Sequence, residues 1–142
     1  MIEIIVYGLP APQGSKRFVG HAKSGRGIMV ESSAKVKPWR EAVKWAASGN
    51  PTELPPHVPG PVTVEMIFTM PKPKAAPKSR VTYPDRKPDL SKLVRSTEDA
   101  LTDAGVWEDD ARVVSCWSRK VFPSEDKDAL DRPGAVIRIE SL

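Results

Sequence analysis

The sequence predicts an α+β fold, a small mixed β-sheet with two main helices packed on it. Three observations lead there. Four runs alternate apolar and polar residues with the period of a strand, two segments repeat apolar residues with the period of a helix, and proline- and glycine-rich polar stretches separate them. A length of 142 residues is that of one domain, residues 1–142, with a single modest core. No internal repeat and no glycine-rich nucleotide loop interrupts this order.

The first strand is read from Ile2, Ile4 and Val6 alternating with Glu3, Ile5 and Tyr7, and it ends at Gly8 and Pro10. Residues 10–17 combine stiff prolines with Gly14, Ser15, Lys16 and Arg17, and residues 21–36, rich in Gly, Lys and Ser, are expected to form a hairpin or mobile loop. Neither His21 nor His57 has a partner at metal-ligand spacing, so both are placed at the surface. Pro38 is expected to open the first helix, with Trp39, Ala42, Val43, Ala46 and Ala47 on its apolar side and Gly49 at its end. Trp39 and Trp45 are read as packing anchors.

After a proline-rich connection at 51–61, Val64, Met66 and Phe68 alternate with Thr63, Glu65, Ile67 and Thr69 in a second strand. Residues 71–88 follow, with Lys72, Lys74, Lys78, Arg80, Arg86 and Lys87 set against Asp85 alone. Such a segment buries no core and is expected to be a flexible basic loop. A connection this long in a short domain is either a solvated linker or a phosphate-contacting element, with Tyr83 available for stacking.

At about 100° per residue, Leu90, Leu93, Val94, Thr97, Ala100, Leu101 and Ala104 share one side of a second helix, and Ser91, Lys92, Arg95, Glu98, Asp99 and Thr102 share the other. Pro88 sets the start just beyond itself and Gly105 sets the stop. Trp107 is expected to plug this helix onto the sheet. Residues 112–122 read as a strand with Val113, Trp117 and Val121 on one side and Val114, Cys116 and Phe122 on the other. Arg119 and Lys120 there either face a polyanion or guard an edge strand. The last strand alternates Ala135, Ile137 and Ile139 with Arg138 and Glu140.

The 22 Lys and Arg against 18 Asp and Glu leave a net charge of +4, and its uneven placement points to polyanionic partners. One cysteine, Cys116, permits neither an internal disulfide nor a cysteine-based zinc site, and its strand position suggests a small buried side chain. A reducing cytoplasm is the expected compartment. No apolar run is long enough to span a membrane, and the strand pattern at Met1 does not read as a secretory leader.

The acids around the second helix admit two readings each. Asp89 is either an N-cap or a ligand, Asp99 an ion-pair partner of Arg95 or a ligand, and Asp109 and Asp110 turn residues or ligands. In order, Asp89-Leu90-Ser91-Lys92-Leu93-Val94-Arg95, Asp99-Ala100-Leu101 and Asp109-Asp110-Ala111-Arg112-Val113 resemble the core of the RusA family of Holliday-junction resolvases, in its phage-type branch. Ser91 stands where that family usually has a second metal-binding Asp, and Arg112 where it has Gln.

The resemblance implies a metal-dependent endodeoxyribonuclease that resolves four-way DNA junctions by symmetric nicking in recombination and repair. It implies Mg²⁺, or Mn²⁺, held by Asp89 and Asp110 with help from Asp109, and Arg95 on the scissile phosphate as a further catalytic residue. It also implies a homodimer acting on branched DNA, with no membrane partner and no organic cofactor, in a bacterial host's cytoplasm if the gene is phage-borne. Lys16, Arg17, Lys72, Lys74, Lys78, Arg80 and Lys92 are then the expected DNA contacts. The change at Ser91 motivates the alternative of a branched-DNA or duplex DNA-binding protein impaired in cleavage.

Overall fold

The computed structural model describes residues 1–14, 16–21, 27–31, 34–49 and 56–142, with 16–21 and 27–31 described at the backbone only. Its elements are β1 (Ile2–Tyr7), β2 (Lys16–His21), β3 (Gly27–Glu31), α1 (Val36–Ser48), β4 (Val62–Thr69), α2 (Leu90–Asp103), a 3-10 turn at Asp110–Arg112, β5 (Val113–Val121) and β6 (Gly134–Ser141). β2 and β3 form a separate antiparallel pair. The other strands make one mixed sheet in the order β1-β6-β4-β5, in which β6 is antiparallel to β1 and β4 while β4 and β5 run parallel. Two parallel neighbours need a crossover, and α2 supplies it.

Both helices cover one face of the sheet. Trp39, Val43 and Ala47 from α1 and Leu93, Ala100 and Leu101 from α2 pack on Ile4, Val6, Val64, Met66, Phe68, Ile137 and Ile139. Polar residues inside this layer are paired: Trp39 Nε1 donates to Thr97 Oγ1 at 3.1 Å, and Ser96 Oγ donates to the Ala11 carbonyl at 2.7 Å. On the other face the 122–133 connection seats Leu130 over Ile67, Val121 and Val136. That is why Ile67 and Thr69 are as buried as the alternate set of β4.

Elsewhere this second face carries a chain of ion pairs. Arg138 joins Glu3, Glu65 and Asp128, and Arg119 joins Asp126 and Asp128. Arg119, which the sequence left between DNA and an edge-guarding role, thus serves an internal network. Gly134 sits where β6 passes β1, and a Cβ there would lie 2.1 Å from the Val6 carbonyl oxygen.

Three expectations are corrected. α1 begins at Val36, and Pro38 is its third residue, where the absent N–H is still one of the unpaired amides of a first turn. Trp45 is 59% exposed and anchors nothing. Cys116 is exposed, because β5 is an edge strand of the sheet. The expected stops hold, with Gly49 and Gly105 at φ 77° and 82° and the Gly49 amide closing on the Trp45 carbonyl. Trp107 is buried as expected.

Candidate active site

α2 positions both groups of acids, one at each end. At its start Asp89 has the extended backbone of an N-cap residue, and its carbonyl accepts the Lys92 and Leu93 amides, but its carboxylate makes no capping bond. The exposed carboxylate opens instead on a cleft of about 520 Å³ lined by Gln13, Lys35, Lys87, Pro88 and Lys92. Lys120 fixes the approach to this cleft, donating to the Arg86 and Pro88 carbonyls at 2.9 Å each. The side chain that the sequence offered to DNA therefore holds the chain just before Asp89.

At the other end, Asp110 accepts a hydrogen bond from Thr102 Oγ1, which in turn accepts one from the buried Trp107 Nε1 at 2.7 Å. The indole thus orients the hydroxyl and the hydroxyl orients the carboxylate. Asp99 shares a hydrogen bond with Asp110 and sits above the usual carboxylate range, raised by burial first and then by Asp110, against the pull of Arg40 and Arg95. Glu98 is raised too, by burial and then by the charges of Asp110 and Asp99. Glu98 also reaches β5: the Cys116 thiol is pushed up by partial desolvation and then by the Glu98 charge. Asp109 serves its own turn, with Oδ1 accepting the Ala111 amide at 2.8 Å.

Of the residues the resemblance implicates, the structure gathers Asp110 with Asp99 and leaves Asp89 apart. α2 rises about 1.5 Å per residue, so Asp99 lies roughly 15 Å and Thr102 roughly 20 Å along the axis from Asp89. Ser91 and Arg95 are exposed between them. Among the described residues no three His, Cys, Asp or Glu side chains stand together as a metal site. One chain therefore does not fit a single Mg²⁺ ion bound jointly by Asp89 and Asp110. The sequence did not single out Glu98 and Thr102 for the site; their spacing from each other and from Asp99 on one helix face was the signal that could have found them.

The segment 71–88 forms no helix or strand, yet it is tethered. Lys72 pairs with Glu125, lies 5.8 Å over the Phe122 ring, and so holds the first residues down, while the Thr82 amide donates to the same Glu125 carboxylate at 2.9 Å. Lys74, Lys78, Arg80 and Tyr83 are exposed beyond these anchors. Between the segment and residues 9–12 lies a cleft of about 940 Å³, walled by prolines, Val81 and Phe122 and rimmed by Lys35, Arg86 and Lys87. The expected DNA-binding residues Lys16 and Arg17 fall on β2, and their side chains lie outside the described residues.

The family described as Endodeoxyribonuclease RusA matches residues 8–140 of the chain. No curated protein matches it.

Proposed function

Because the chain belongs to the RusA endodeoxyribonuclease family, we propose that it resolves four-way DNA junctions by paired nicks during recombination and repair. Water adds to one phosphorus in each of two opposed strands and the 3′ oxygen leaves, giving a 3′-hydroxyl and a 5′-phosphate at each nick. The reading includes Mg²⁺ or Mn²⁺ as cofactor, and a homodimer whose two-fold axis coincides with that of the junction. The observation that carries it is the family match, whose span of residues 8–140 includes the basic loop, Asp89 and Asp110.

The chain's own groups do the positioning. Lys74, Lys78 and Arg80 hold phosphates from the loop, and Lys35, Lys87 and Lys92 draw the backbone into the cleft of Asp89, where carboxylates alone would repel it. Arg95 stands on the helix flank between the two acid groups and reaches the phosphate to be cut.

The test is a cleavage assay on a synthetic four-way junction with Mg²⁺ or Mn²⁺, wild type beside Asp110→Asn. Symmetric nicks by the wild type, lost in the variant with junction affinity equal or higher, support the reading. Tight junction binding with no nicks under either ion would establish instead a binding protein that has lost cleavage, the reading that Ser91 favours.

A further inference from the structure

We propose that the proline-walled cleft between residues 9–12 and the 71–88 segment receives one base, turned out of the DNA stack, beside the phosphate drawn to Asp89. The inference rests on the nuclease reading for its ligand and on the cleft itself for its geometry.

Continuity with the Asp89 cleft comes first. Pro12, Lys35, Lys87 and Pro88 line both hollows, so the large one and the one at Asp89 form a single groove. A strand whose backbone follows Lys35, Lys87 and Lys92 toward Asp89 therefore has a hollow at its side, where its bases hang.

The lining of that hollow suits a base. Its floor is the buried pair Met70 and Phe122, with Val81 and proline rings beside them. Proline rings present apolar faces and no N–H, a surface for the face of a base and a poor one for a phosphate. Lys35, Arg86 and Lys87 stand at the rim, so an apolar body joined to an anion matches the whole. Tyr83, 76% exposed, lines the same cleft and offers a ring for stacking.

A hydroxyl gives the second, independent observation. Thr82 Oγ1 is buried in the cleft wall and has no hydrogen-bond partner. Buried hydroxyls are nearly always bonded, because leaving one without a partner costs free energy. The edge of a base carries donors and acceptors that pair with it once a turn about χ1 brings the hydroxyl to the cleft. A hydrocarbon ligand would leave it unpaired.

The wall is also held in place. Glu125 takes the Lys72 ammonium and the Thr82 amide, and Lys120 holds the Arg86 and Pro88 carbonyls, so little ordering of the segment accompanies binding. Turning a base out costs least where pairing is already interrupted, as it is where strands exchange at a junction. The cleft then favours cutting beside a base that leaves the stack easily.

Binding to bulged duplexes, measured without divalent metal, tests the site. Wild type should bind a duplex with one unpaired base about tenfold more tightly than the same duplex with an abasic residue at the bulge, the scale of one base stacked on an aromatic ring. Tyr83→Ala should remove most of that preference, and Tyr83→Phe should keep it. Thr82→Val should reduce it severalfold while melting no lower than wild type, since the fold itself leaves that hydroxyl unbonded. Ala76→Trp, which fills the cleft, should abolish the preference with affinity for paired duplex kept. Equal affinity of the wild type for the two bulges overturns the proposal, and so does a preference that survives Ala76→Trp. Because binding is read without metal, a protein that prefers the unpaired base yet makes no nick in a junction with Mg²⁺ or Mn²⁺ keeps this site and loses the nuclease reading alone. One that nicks junctions but ignores the unpaired base loses this site alone.

Discussion

Thr102 carries the orientation of Asp110, because its hydroxyl is held by the buried Trp107 indole on one side and donates to the carboxylate on the other. Thr102→Val should therefore leave an unpaired indole N–H and destabilise the fold by about 1–3 kcal/mol. It should also weaken cleavage more than DNA binding, and Thr102→Ser should restore both; a variant with unchanged melting and cutting would remove the hydroxyl from the site. Asp99 and Glu98 give a pH dependence with a definite sign. Both carboxyls are raised in the folded protein, so what they contribute is present below their ordinary values and is lost as pH rises through the raised ones. Asp99→Asn should gain in melting temperature over the wild type as pH climbs through that range, and a constant difference would contradict the shift. Asp126 and Asp128 act oppositely. Arg119 and Arg138 respectively hold them below the usual carboxylate range, so their stabilisation is full at neutral pH and fades as pH falls through the depressed values. These assignments were only half legible in the sequence. Asp89 at a helix start and Asp109 in a turn follow from local rules, whereas the pairing of Asp110 with Asp99 needs the fold.

α2 was legible nearly to the residue, because its apolar period, the proline before it and the glycine after it agree. β1, β4 and β6 were legible from alternation. The exposure of Cys116 was not, since β5 alternates well enough to look half-buried and only the strand order β1-β6-β4-β5 makes it an edge. Trp45 misled for a similar reason: its place on a helix says where it points, not whether anything covers that side. The second buried face of β4 also waited on the fold, for Leu130 comes from a distant connection. One element junction allows a sharp test. Gly134→Ala would drive a Cβ into the Val6 carbonyl where β6 crosses β1, and should cost about 2 kcal/mol or more, seen as a lower denaturation midpoint with DNA binding kept in the folded fraction. An unchanged midpoint would mean that the two strands separate easily there.

Across the whole molecule, charge is divided by use. The ion pairs of Arg119 and Arg138 lie on the sheet face away from the helices, and Lys72 is spent on Glu125, whereas Lys74, Lys78 and Arg80 are exposed on the segment that leads to Asp89. Changing Lys74, Lys78 and Arg80 to Ala should flatten the salt dependence of junction binding by roughly 0.9 in log–log slope for each phosphate no longer neutralised. Lys72→Ala should instead lower the melting temperature and leave the slope almost unchanged; the reverse pattern would exchange their roles. The sequence showed that the loop was basic, but it could not show which cation the fold keeps for itself. The same loop is fastened at both ends, by Lys72 to Glu125 and by Lys120 to the Arg86 and Pro88 carbonyls. Lys120 therefore works as strain relief does on a cable: a pull on the span between the two anchors stops at its ammonium group before it reaches the Asp89 carboxylate. On the proposed function, tolerance for the shape of the DNA and accuracy of the cut would be separated by a single ammonium group, and Lys120→Met should blur nicks over neighbouring phosphates before it slows them.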